Sequence, residues 1–357
     1  MKKPVSMIVR TKKLMDINDC QEGQVVAEDI VTSQGMLLLP KSTVLNTYIL
    51  NRLQNHQVYQ LYVYTTDDKK EYEITIKELM AAYDESLNST KTILHHLVDG
   101  KKIDYQEIEQ TFDKIFAKSK SPFEILKCID ELKKVDEYTY THSFNVAIYG
   151  MLIAKWLQLP PEQVQHVITA GMLHDLGKAR IPKNILNKKG KLLPEEFDCM
   201  KKHTIMGYDM SKNIPGLRHD VRQVILMHHE REDGNGYPFG IRGNKIHLYT
   251  KIISIADVYD AMTSDRVYKR KTTPFNTFRE FQRIGIGHFD TKIMITFLSN
   301  IANYYIGSKV VMNTGQIGEV VYLPPHNTSM PVVRIDDSYI DLEIDKSYRI
   351  VKMHNNP

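Results

Sequence analysis

Leu173-His174-Asp175-Leu176-Gly177-Lys178 is the stretch on which the reading of this chain turns. One histidine next to one aspartate carries little information. Outward from it, however, the same two donor types recur in order: Thr141-His142-Ser143 upstream, then His203, His228-His229 and Asp257 downstream. With His174 and Asp175 these make seven nitrogen or oxygen donors, in segments that read as successive helices. Neighbouring residues on a helix point about 100° apart. His174 and Asp175 therefore suit two adjacent ions, with the carboxylate bridging through its two oxygens, and His228-His229 repeats the device. A dinuclear site needs about three or four protein donors per ion, with positions left open for water and substrate. Imidazole and carboxylate without thiolate favour iron, manganese, zinc or nickel over magnesium or calcium.

Two ions so held would lower the pKa of a shared water, so that hydroxide exists near neutral pH, and would neutralise charge on a phosphoryl oxygen. The surrounding cations fit that chemistry. Lys178, one turn beyond His174, can stabilise non-bridging phosphate oxygens or a leaving group. Arg266 and Lys269, in Ser264-Asp265-Arg266-Val267-Tyr268-Lys269, would clamp a phosphate from the other side. Singly, each is an ordinary solvated charge, and His142 or His203 alone is an ordinary structural histidine. The conjunction of all of them in one helical stretch sets them apart. His95-His96, His166, His219, His247 and His288 lack such company and read as ordinary residues. Asp233-Gly234-Asn235-Gly236-Tyr237-Pro238 is either a plain tight turn or a loop that lets backbone approach a nucleotide, with Tyr237 lining the pocket. Its neighbours His228-His229-Glu230-Arg231 favour the second.

Composition sets the frame. At 357 residues, 42% of them apolar, the chain can build two or three cored domains. Charged residues make up 25% and nearly cancel, to +4, with a pI near 8.6. No basic stretch alternates with aromatics, so DNA is not an expected partner; Asn187-Lys188-Lys189-Gly190-Lys191 reads as a solvated loop. Cys20, Cys128 and Cys199 match no metal or redox spacing and suit a reducing compartment. No apolar core of signal-peptide length follows Met1-Lys2-Lys3, and no run approaches the roughly 20 apolar residues of a spanning helix. The expected location is the cytoplasm.

Along the chain, residues 1–66 read as a β-rich N-terminal domain, with strands near 24–27, 36–39 and 58–64 and a short helix from Thr47 to Leu53. Helical spacing of Ile76, Leu79, Met80, Tyr83, Leu87, Ile93, Leu94 and Leu97 marks 67–120 as a helical connector, either a spacer or a homodimer seam. Helix follows helix across 121–306. A small β domain occupies 307–357, with strands near 309–312, 318–323, 332–335 and 340–344, and is expected to pack on the helical body. The fold class is mainly α, a helical bundle core with a small β-rich domain at each end.

These residues together resemble the HD-GYP family of bacterial phosphodiesterases. The matching text is His142-Ser143, Leu173 to Lys178, Ile181-Pro182, Ile185-Leu186, Met200-Lys201-Lys202-His203, His228 to Arg231 leading into Asp233 to Pro238, Ile255-Ala256-Asp257-Val258-Tyr259-Asp260-Ala261, Arg266 and Tyr268-Lys269. The resemblance covers about 121–300 and implies an all-helical HD-type domain that hydrolyses cyclic di-GMP to pGpG or onward to GMP. It implies that His142, His174, Asp175 and Asp257 hold one metal, with Asp175 bridging, and that His203, His228 and His229 complete the second. Asp175 and Lys178 would be catalytic, and Lys178, Tyr237, Arg266 and Lys269 would contact substrate. Iron or manganese leads as the metal, with zinc or nickel as alternatives. One departure stands out. Members with a third metal resemble each other in a glutamate one turn before the first histidine, where this chain has Tyr138; Glu137 would point elsewhere. Two metals are therefore expected, with pGpG as the first product. The alternatives are an HD-type hydrolase of another cyclic dinucleotide or nucleotide, or a non-catalytic cyclic-dinucleotide sensor.

Overall fold

The computed structural model describes residues 12–28, 30–31, 37–39, 43–64, 69–118, 122–132, 138–263, 273–324 and 326–354. They fall into two compact units, one of residues 1–71, 272–278 and 298–357, the other of 72–271 and 279–297.

In the first unit, β1 (Lys12–Asp16), β2 (Val25–Val26) and β5 (Gln60–Tyr64) form an antiparallel sheet in the order β1-β5-β2. A separate pair joins β3 (Ile30–Val31) to β4 (Leu37–Leu39). Helix α1 (Thr47–Asn55) starts where the Asn46 side chain accepts from the Ile49 N–H at 2.9 Å, an N-cap. It packs Ile49 and Leu53 onto Val26, Leu61 and Val63 of the sheet. The C-terminal strands β6 (Lys309–Met312), β7 (Ile317–Tyr322), β8 (Val332–Ile335), β9 (Ser338–Asp341) and β10 (Ile350–Met353) make an antiparallel sheet in the order β10-β6-β7-β8-β9. Within the same unit this sheet packs on α1: Tyr48 sits 5.8 Å from the Tyr322 ring, Arg52 lies over that ring, and Asn46 Nδ2 donates to Val321 O at 3.0 Å. The anticipated strand at 340–344 stops at Asp341, whose carboxylate accepts from the Glu343 N–H and turns the chain. β1, β3 and β10 are not among the strands anticipated from sequence.

The second unit holds the helical core. The connector is not one run but α2 (Lys69–Val98) and α3 (Tyr105–Lys118), broken at Gly100, which takes φ +76°. Then come α4 (Pro122–Leu132), α5 (Tyr138–Trp156), α6 (Pro161–Leu173), α7 (Lys183–Leu186), α8 (Pro194–Lys201), α9 (His203–Ser211), α10 (His219–Met227) and α11 (Leu248–Thr263). α12 (Pro274–His288), broken at Ile286 and Gly287, and α13 (Thr291–Ala302) complete the helices and run across both units. Pro161 occupies the first turn of α6, where its missing N–H costs nothing. From Val146 to Ala154 α5 is apolar around its whole circumference, and Val146, Ala147, Ile148, Met151, Ile153 and Ala154 are all fully buried. Against it pack α6, which His174 directly follows, and α11, which carries Asp257. Among the described residues no helix is long and apolar enough to cross a membrane.

Candidate metal centre

The sequence reading places His174 and Asp175 within a helix; the structure places them at its end. α6 stops at Leu173, His174 is the C-cap, and Asp175 (φ −100°, ψ 9°) leads into a 3-10 turn over Leu176–Arg180. His228 likewise caps α10. At a helix C-terminus the last carbonyls lack intrahelical partners, and the histidines use them. His174 Nδ1 meets Gly171 O at 2.6 Å, His203 Nδ1 meets Met200 O at 2.7 Å, and His228 Nδ1 meets Ile225 O at 3.1 Å. A carbonyl only accepts, so each ring carries its proton on Nδ1 and turns the Nε2 lone pair inward.

Those lone pairs converge on Asp175. Its Oδ1 lies 3.4 Å from His203 Nε2 and 3.7 Å from His228 Nε2; its Oδ2 lies 3.3 Å from His174 Nε2 and 3.6 Å from His142 Nε2. Asp257, from α11, places Oδ1 3.1 Å from His142 Nε2 and Oδ2 3.9 Å from His229 Nδ1. All seven anticipated donors are therefore brought together, and the sets His142/His174/Asp175, His174/His228/Asp257 and His203/His228/His229 each converge within 4.8 Å. His95, His96, His166, His219, His247 and His288 join none of these groups.

The electrostatics fit cations. His203 Nε2 and His228 Nε2 face each other at 3.3 Å, and with both Nδ1 protonated two neutral rings offer only lone pairs to that gap. His174 Nε2 and Asp175 Oδ1 are buried with no hydrogen-bond partner, a costly arrangement that a cation relieves. Burial and neighbouring rings push His228 well below the usual imidazole range, and burial and Lys178 lower His203, which keeps both in the metal-binding neutral form. Burial would raise the Asp175 carboxyl, but His174 and Lys178 outweigh it and hold it well below the usual carboxylate range. Burial opposes charge on His142, yet Asp257 and Asp260 raise it well above the ordinary value, so an ion taken up there displaces a proton.

Close backbone approach makes this convergence possible. A Cβ on Gly177 would lie 1.9 Å from His203 O and 2.4 Å from Gly207 N, so the turn after Asp175 rests directly on the backbone of α9. A Cβ on Gly236 would lie 2.5 Å from both Glu230 Cα and His229 O. The loop therefore lies on the His229-Glu230 backbone, and Tyr237 stacks on the His229 ring at 4.7 Å. Lys178 is not directed only at open space: its Nζ pairs with Asp175 Oδ2. Arg266 and Lys269 lie outside the described residues, as does Glu137; Tyr138 begins α5. The sequence reading missed Glu230, which is buried and accepts from the N–H groups of Phe239 (2.7 Å), Gly240 (3.1 Å) and Ile241 (3.1 Å), closing the loop behind Tyr237. It also assigned no role to Asp260, whose place one turn after Asp257 is the available signal.

Residues 126–293 match the family model described as HD domain. That stretch belongs to the HD domain family. The chain resembles a cyclic di-GMP phosphodiesterase from Pseudomonas aeruginosa, 36% identical over 236 residues, which cover 66% of this chain and 56% of that protein. A cyclic di-GMP phosphodiesterase of Thermotoga maritima is 34% identical over 195 residues, 54% of this chain and 53% of that one. A 3'3'-cGAMP-specific phosphodiesterase of Vibrio cholerae is 34% identical over 171 residues, 47% of this chain and 39% of the relative. The chain thus spans about half the length of the first two relatives. Divalent metal binding agrees with both the family and the donor cluster.

Proposed function

We propose that this chain is a metal-dependent phosphodiesterase that opens cyclic di-GMP to pGpG. The observation that carries the reading is the convergence of five imidazoles on two buried carboxylates, with two Nε2 lone pairs facing each other. His142, His174, Asp175 and Asp257 would hold one ion, and His203, His228, His229 and the other oxygen of Asp175 the second; iron or manganese suits this set best. Bound divalent ions supply a water acidic enough to ionise near neutrality and a Lewis acid for a phosphoryl oxygen. The chain's own part is to hold Asp175 ionised, through Lys178, and to keep His203, His228 and His229 neutral. Tyr237, stacked on His229, would form one wall for the substrate. The substrate reading draws on the names of the relatives in Pseudomonas and Thermotoga.

The test is anaerobic purification, metal analysis and time-resolved chromatography with cyclic di-GMP and 3'3'-cGAMP side by side. About two ions per chain and faster loss of cyclic di-GMP support the reading; faster loss of 3'3'-cGAMP would move the specificity to the Vibrio type. With Tyr138 where a third-metal glutamate would stand, pGpG should accumulate before GMP appears, and GMP rising from the first turnovers would refute this. Arg266 and Lys269 carry no lone pair and cannot be ligands. Arg266→Ala is expected to leave metal content unchanged and to weaken substrate binding by about 1.5–3 kcal/mol, one to two decades. Metal loss in that variant would contradict the assignment.

A further inference from the structure

Asp260 lies on α11 one turn beyond Asp257 and is fully buried, 0% exposed. Its Oδ2 accepts from His142 Nδ1 at 2.7 Å, and its Oδ1 accepts from Asn145 Nδ2 at 3.1 Å. Asn145 Oδ1 in turn accepts from the Tyr83 hydroxyl at 2.6 Å. Tyr83 belongs to α2, is buried, and packs its ring edge-on against Phe144 of α5 at 4.8 Å. The direction of donation is fixed throughout. An ionised carboxylate only accepts, so the amide nitrogen of Asn145 faces Asp260 and its oxygen is left for Tyr83, which must donate. By the same rule His142 is protonated on Nδ1 and directs Nε2 at Asp257 and Asp175.

His142 thus differs from His174, His203 and His228, whose Nδ1 atoms are held by carbonyls three residues earlier in their own segments. The orientation of His142 depends instead on three side chains from two other helices and its own. We propose that Asp260 is a positioning residue for His142, steadied by Asn145 and Tyr83, so that the docking of α2 sets the affinity of the ion held by His142, His174 and Asp257. Carboxylate–histidine–metal arrangements of this kind tune both ring orientation and ligand basicity. The inference rests on the dinuclear reading of the centre and adds a selective link from α2 to one of its two ions.

The experiment titrates metal-free full-length protein with Mn²⁺ and with Co²⁺, fitting two sites by calorimetry and following the Co²⁺ absorption bands. Asp260→Asn keeps the shape but can donate to Nδ1 and so favours the wrong tautomer; it should weaken one ion by about 10- to 100-fold. Tyr83→Phe keeps the ring against Phe144 and removes only the hydroxyl; it should weaken the same ion about fivefold, the worth of one hydrogen bond. The other ion should stay within about twofold in both variants, a selectivity that general loss of packing does not produce. In His142→Ala, adding Tyr83→Phe should have no further effect. Unchanged affinities in both variants, equal weakening of both ions, or a Tyr83→Phe effect that persists without His142 would overturn the proposal. Wild-type protein that takes up no ion overturns the dinuclear reading as well, which separates the two failures.

Discussion

Asp175→Asn is expected to strip both ions from the protein and to lower turnover by at least about a thousandfold, while the helical content stays intact. The size follows from the position. Asp175 offers an oxygen to each half of the cluster at short range, Oδ1 towards His203 and His228 and Oδ2 towards His142 and His174. The amide has nearly the same shape but no charge, and its nitrogen presents hydrogens where an ion requires a lone pair. Ions of this kind contribute several kcal/mol to the transition state, and about 4 kcal/mol corresponds to three decades in rate. Lys178, which now pairs with Asp175, would lose its counter-charge as well. Metal analysis of the purified variant checks the first half of the expectation and a cyclic di-GMP assay the second. Retention of two ions with near-normal turnover would show that Asp175 bridges nothing.

The second large effect is structural in origin. Gly177→Ala should destabilise the protein by about 2–3 kcal/mol, at the upper end of what overpacking costs, and should weaken the ion on the His203 side. The new methyl would lie 1.9 Å from His203 O and 2.4 Å from Gly207 N. Both are backbone atoms, and no side-chain rotation relieves the clash. The 3-10 turn and α9 must separate, which draws His203 Nε2 away from Asp175 Oδ1, now 3.4 Å distant. Thermal unfolding of the metal-free protein reads the packing cost, and metal titration reads the displacement. A variant as stable as the parent, with both affinities unchanged, would mean that this close approach is not what seats His203.

Much of the centre was legible from residue types in order. His174-Asp175, His203, His228-His229 and Asp257 name the donors, and the structure brings every one of them, with His142, into one buried cluster. The geometry assigned to them was less secure. A helical wheel puts Lys178 one turn beyond His174 on the same face, whereas the helix ends at Leu173 and a 3-10 turn brings Lys178 to Asp175. Helix ends are set by which carbonyls find partners, and here the partners are the histidine rings themselves. Most strands at the two ends of the chain were found, but β1, β3 and β10 were not, and the C-terminal sheet shares a unit with α1.

The sequence by itself determined the helical class of the core, the donor set, and the glycines and loop that mark this type of site. Each of these is local: apolar periodicity, side-chain chemistry and turn residues act within a few positions of one another. Only the tertiary structure decided which oxygen faces which ring, that Glu230 ties the loop down, and that Asp260, Asn145 and Tyr83 stand behind His142. Those contacts join residues up to 118 positions apart, and the Asp260–His142 pair is one of them. A carboxylate's partner is chosen by the folding of α11 against α5 in a buried, water-poor interior, where every donor must find an acceptor, and no local pattern in the chain records that choice.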